Sequence, residues 1–116
     1  RSLMCKPVVV GLLAALGATL LSAGPALSAR KTVAVDDNSF VRPGATPTVR
    51  VHRYDRVVWE WEGSNPHNVT VTRGPVKFHS DTQSSGTYRK RVTHRGTYKI
   101  VCTIHRATMR MTLRVR

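Results

Sequence analysis

Gly96-Thr-Tyr-Lys-Ile-Val-Cys-Thr-Ile-His-Arg-Ala-Thr-Met-Arg-Met-Thr-Leu-Arg-Val115 carries two strands and, between them, a loop rich in metal donors. Tyr98, Ile100 and Cys102 alternate onto one face, and Met111, Leu113 and Val115 do the same after the loop. Period-two alternation of apolar residues is the mark of a half-buried strand. The first strand ends on Cys102 at its core-facing side, and His105 and Met109 follow in the connection. A thiolate, an imidazole and a thioether thus fall within eight residues. Thiolate and thioether are soft donors suited to Cu(I), while imidazole serves both copper oxidation states.

The fourth donor lies upstream. In Trp59-Glu-Trp-Glu-Gly-Ser-Asn-Pro-His-Asn-Val-Thr-Val71 a strand over 56–61 is broken by Gly63-Ser-Asn-Pro66. Alternation then resumes over 67–72, with His67, Val69 and Val71 on one side. A core-facing histidine alone is more often a hydrogen-bonded structural residue than a ligand. The Cys102/His105 pair reverses that balance, because neutral imidazole is the commonest metal ligand. His67, Cys102, His105 and Met109 therefore form a candidate metal set, with His67 closing the site from another strand end. Met111 is a competing thioether. The register of Leu113 and Val115 keeps Met109 in the loop and puts Met111 in the core. His52, His79 and His94 have no partner at ligand spacing and are expected to be solvated.

Further strands are expected over 32–35, 48–51 and 87–92, with turns at 36–39, 41–44 and 93–96 and an irregular stretch over 74–86. No helical period exceeds about a turn. Several short strands at this spacing make an all-β sandwich or barrel in a single domain. Trp59 and Trp61 read as core and rim packing. Arg89-Lys-Arg91 reads as a solvated edge, where charge blocks edge pairing.

The first 29 residues read differently. Arg1 and Lys6 precede an uncharged run from Pro7 to Leu21, and small residues follow to Ala29. That is the pattern of a secretory signal. Val8 to Ala29 carries no charge and is about as long as the roughly 20 apolar residues that a membrane span needs, so an uncleaved anchor is the alternative. Both readings export residues 30–116, to the periplasm, cell envelope or exterior. Cys5 leaves with a cleaved signal, and Cys102 is then the lone cysteine of the exported domain. A single cysteine there has no disulfide partner within its chain, which marks it as reactive or metal-bound. Residues 30–116 hold 17 basic and 6 acidic residues, a net charge of +11. Such a field favours anionic partners or surfaces, including an anionic cell envelope. Arg106 and Arg110 flank His105 and Met109 and are the expected steering charges.

These segments resemble the cupredoxin family, in particular its small plastocyanin-like and amicyanin-like members. The resemblance covers residues 31–116 and rests on the donor order His, Cys, His, Met. It implies a Greek-key β-sandwich holding one copper ion. It implies a trigonal plane of His67, Cys102 and His105, a weak axial Met109, and His105 near the surface as the electron exit. In relatives the position of Asn68 bonds across to the residue after the cysteine, here Thr103. One departure is Met111, where relatives usually have glycine. Asn68-Val-Thr70 is also a glycosylation sequon, but bulk at Asn68 would crowd the site. The implied function is an exported one-electron carrier that works with a redox partner bearing an acidic docking surface. It is expected to be a monomer and to bind no nucleic acid. A rival is a copper carrier or scavenger of the envelope with no dedicated electron-transfer role. Copper enzymes of this class need further histidine pairs, and no His-x-His is present.

Overall fold

The computed structural model describes residues 29–116; the leader expected over 1–29 lies, Ala29 apart, outside them. Eight strands form: β1 (Arg30–Asp36), β2 (Ser39–Phe40), β3 (Thr48–Val51), β4 (Arg56–Trp61), β5 (Thr70–Arg73), β6 (Thr87–Arg91), β7 (Gly96–Val101) and β8 (Arg110–Val115). They build two four-stranded sheets, ordered β2-β1-β4-β6 and β3-β8-β7-β5. Both sheets are mixed. β1 runs parallel to β4 and β3 parallel to β8, while the other pairs are antiparallel. The chain is thus the all-β sandwich expected from its patterning.

Alternation sets the core. Val33 and Val35 of β1 and Val57 and Trp59 of β4 join Val49, Val51, Tyr98, Ile100, Met111, Leu113 and Val115 of the other sheet in one buried cluster. Trp59 is fully buried against Phe78 and Tyr88, with ring centroids 6.1 and 5.7 Å away. Trp61 is only partly buried, at the rim. β6 is the outer strand of its sheet and carries Arg89-Lys-Arg91. Lys90 nevertheless lays its ammonium over the Phe78 ring at 5.4 Å.

Two local features differ from the alternation reading. The strand expected over 67–72 begins only at Thr70. His67 instead makes an isolated bridge to Gln83, with both backbone bonds at 3.0 Å. The ladder is interrupted between His67 and Thr70 because the Val69 N–H donates to a side chain, Ser80 Oγ, rather than to a backbone carbonyl. The irregular stretch over 74–86 also packs: its Phe78 and Ser80 are buried, and Ser80 Oγ accepts the Val69 N–H at 2.9 Å. Among the described residues, no helix is long and apolar enough to cross a membrane.

Candidate metal centre

β7 ends at Val101 and delivers Cys102 fully buried at one end of the sandwich. The chain then turns through a short 3-10 helix, Thr103–His105. Backbone bonds shape this loop. His105 N–H donates to Cys102 C=O at 3.1 Å, and Met109 N–H donates to His105 C=O at 2.8 Å. Cys102 N–H donates to Met109 C=O at 3.0 Å, which closes the loop just before β8 starts. Met109 is fully buried there, while Met111 sits within β8 opposite Ile100. His105 is half-buried and its neighbour Ile104 is 50% exposed, an apolar tip at the mouth of the site.

His67 is fully buried, with Nδ1 3.9 Å from Cys102 Sγ. Two donors sharing one ion, at metal–nitrogen distances of about 2.0 Å and metal–sulfur of about 2.3 Å, lie roughly 3.5–4 Å apart. That pair is therefore already spaced for a common metal. The His67 and His105 rings are neighbours, with centroids 5.4 Å apart. Among the described residues, no three His, Cys, Asp or Glu side chains stand close enough together to form a metal cluster by themselves. His52, His79 and His94 are all exposed, as their spacing suggested.

The ligand segments are tied together from outside the donor set. Asn68 accepts the Thr103 N–H on Oδ1 at 3.1 Å, and its Nδ2 donates to Thr103 Oγ1 at 2.8 Å. The same amide takes the Thr70 hydroxyl at 2.8 Å and gives to Thr82 Oγ1 at 3.0 Å. Asn68 is buried with its amide engaged, so the sequon there offers no open acceptor.

One residue of the site was missed by sequence reasoning. Asp37, in the turn between β1 and β2, places Oδ1 2.9 Å from His67 Nε2. It also accepts the backbone N–H groups of Ser64 at 3.2 Å and Asn65 at 3.0 Å. The His67 bond, followed by those two, holds its carboxyl down at about 2, so it stays ionised wherever imidazole titrates. Ionised Asp37 can only accept a hydrogen bond. His67 then carries its proton on Nε2 and leaves the Nδ1 lone pair facing Cys102. Gly63 permits this approach: a Cβ there would lie 2.6 Å from Asp37 Cγ. A composition signal existed in the acidic turn at 36–37. Nothing local to it pointed 30 residues ahead.

Removing such an orienting carboxylate from a metal-bound histidine costs about 10–100-fold in affinity. Asp37→Ala is therefore expected to weaken copper binding by about that factor, and Asp37→Asn, which keeps an acceptor oxygen, by less. Competition with a chelator of known affinity measures both. Equal affinity of Asp37→Ala and the parent chain would show that the contact does not position His67.

The family model of copper-binding proteins of the plastocyanin/azurin family matches residues 30–116. The chain belongs to that family, and its cofactor is one copper ion. Among solved structures it is similar to amicyanin. The Cu(I) form of a methionine-to-alanine variant is 26% identical, with 82% of this chain and 89% of that one covered and a TM-score of 0.63. A reduced tryptophan-to-tyrosine variant is 25% identical over the same shares, with a TM-score of 0.64. A copper-containing nitrite reductase from Thermus scotoductus shares the fold at 23% identity and a TM-score of 0.66. The match covers 83% of this chain but only 26% of the reductase. No curated protein matches significantly.

Proposed function

We propose that this chain is an exported type 1 copper protein that carries single electrons, with His67, Cys102, His105 and Met109 as the copper ligands. The observation that carries the reading is the buried Cys102 Sγ, 3.9 Å from a His67 Nδ1 whose opposite nitrogen is engaged by Asp37. When bound, copper supplies a site that stores or releases one electron by alternating between its cupric and cuprous states.

The chain's own residues do the rest. Cys102 and His67 are pinned before any ion arrives, the one by backbone bonds to Met109 and the other by Asp37. Asn68 keeps the two ligand segments at fixed separation. Burial of Cys102, His67 and Met109 excludes water from the donors. A donor set held this way changes little with oxidation state, which keeps the reorganisation that accompanies electron transfer small. His105 is the least buried of the four, so it is the natural route for the electron to a partner. Export rests on the charge and apolar pattern of residues 1–29.

Met109 lies in the closing loop and Met111 in the sheet core, which supports Met109 as the axial donor. Removing a weak thioether donor disfavours the cupric state. Voltammetry of the copper-loaded chain is expected to give a reversible one-electron couple, raised in Met109→Leu and nearly unmoved in Met111→Leu. The opposite pattern would make Met111 the ligand. Absence of a reversible couple would favour a copper carrier over an electron carrier.

A further inference from the structure

The second sheet carries a charge distribution that its fold does not require. β3, β5, β7 and β8 contain Arg50, Arg73, Lys99, Arg110 and Arg114 and no acidic residue. All six carboxylates of the described chain lie elsewhere. These five side chains are exposed, on the outer face of the sheet. Pairing puts them side by side. Arg73 stands opposite Lys99, and Arg50 opposite Arg114. Neighbouring strands are about 4.8 Å apart, and like charges directly opposite each other destabilise a sheet. Among the described residues no lysine or arginine lies within 4 Å of a carboxylate; the ion pairs present involve only histidines. The cost of this like-charge face is therefore uncompensated within the described fold.

The face is also shaped. Arg73, Lys99 and Arg110 line an open groove of about 410 Å³ together with Thr46, Thr72 and Thr112. Lys99 Nζ donates to Thr112 Oγ1 at 3.2 Å, so a hydroxyl sits between the cations. The groove reaches Ala107, in the loop that holds His105 and Met109. The first sheet has cations too, Arg30, Lys31, Arg56, Arg89, Lys90 and Arg91, but it also carries Asp36 and Glu60, and Arg30, Arg56 and Arg91 stand in one row at the start of β4. That is the end away from His67, and Glu60 lies nearer the site.

We propose that the outer face of β3-β8-β7-β5, centred on the Arg73/Lys99/Arg110 groove, docks an acidic protein surface that presents Asp and Glu side chains. This rests on the electron-carrier reading, for which it names the partner's chemistry and the side from which it approaches. Arginine forks and intervening hydroxyls suit discrete carboxylates. A concave site next to the ligand loop suits a protein. A lipid surface would call for apolar anchors, and the exposed large apolar residues, Tyr54 and Ile104, both lie off this face. Arg110 therefore acts as part of a sheet-wide surface rather than with Arg106 alone.

The test is titration of poly-L-glutamate into the full chain loaded with Cu(I), followed by amide NMR shifts and affinity at low salt. Shifts are expected at residues 72–73, 97–101 and 110–114. Arg73→Gln/Lys99→Gln/Arg110→Gln is expected to weaken binding about tenfold, at roughly two- to threefold per charge. Arg56→Gln/Arg89→Gln/Arg91→Gln, with the same loss of charge on the first sheet, is expected to weaken it less than about threefold. Equal losses in the two triple variants would overturn the proposal, because net charge alone would then explain binding. So would tighter binding to vesicles of phosphatidylglycerol and phosphatidylcholine than to poly-L-glutamate. Copper uptake by the unsubstituted chain is read separately by its visible absorption. A colourless protein that still binds the polymer at this face would refute the copper reading and leave the face standing.

Discussion

Cys102→Ala is expected to abolish the visible colour of the copper-loaded protein entirely. The intense band of such a site arises from charge transfer out of a thiolate, and Cys102 is the sole cysteine among the described residues. Its burial at zero exposure keeps solvent from taking its place, and the neighbouring Met109 offers a thioether, not a thiolate. The fold should survive, since a small truncation of this kind costs on the order of 1 kcal/mol. Absorption before and after adding Cu(II), with circular dichroism as the folding control, checks both points. Full colour in the folded variant would exclude Cys102 as a ligand.

Copper removal is expected to lower the melting temperature strongly. His67 lies between β4 and β5, while Cys102, His105 and Met109 lie between β7 and β8. An ion held by both segments cross-links parts of the chain that only folding brings together. A ligand that binds only the folded state, present a thousandfold above its Kd, adds about 4 kcal/mol, which for a domain of this size is about 15–30 °C. Calorimetry of the apo and copper-saturated chain measures the difference. A shift of only a degree or two at saturation would place the ion on one segment alone.

Much of this was legible from local pattern. Tyr98, Ile100 and Cys102 alternate in sequence and are buried in the structure. Met111 is buried opposite Ile100 in β8, as the register of Leu113 and Val115 implied. Asn68 and Thr103 meet as the family resemblance implied. Alternation put His67, Val69 and Val71 on the buried side correctly, but the strand starts only at Thr70, and His67 is held instead by a bridge to Gln83 and by Asp37. Asp37 itself was illegible. Its contact exists because β1 lies parallel to β4, which brings the β1–β2 turn beside the loop that leaves β4. Parallel pairing between strands separated by a crossover leaves no trace in either strand's own pattern. The charge pattern was half legible: a net +11 is plain in the composition. That one sheet carries cations and no carboxylate depends on which strands share it.

Titration of the purified full chain with Cu(II), read by visible absorption, tests the thiolate-ligated copper site most directly. A single intense band should grow linearly, stop at one equivalent, bleach on adding one electron per protein and return on reoxidation. A chain that binds copper without that band, or that keeps its colour after reduction, would contradict a thiolate-ligated one-electron site at His67, Cys102, His105 and Met109.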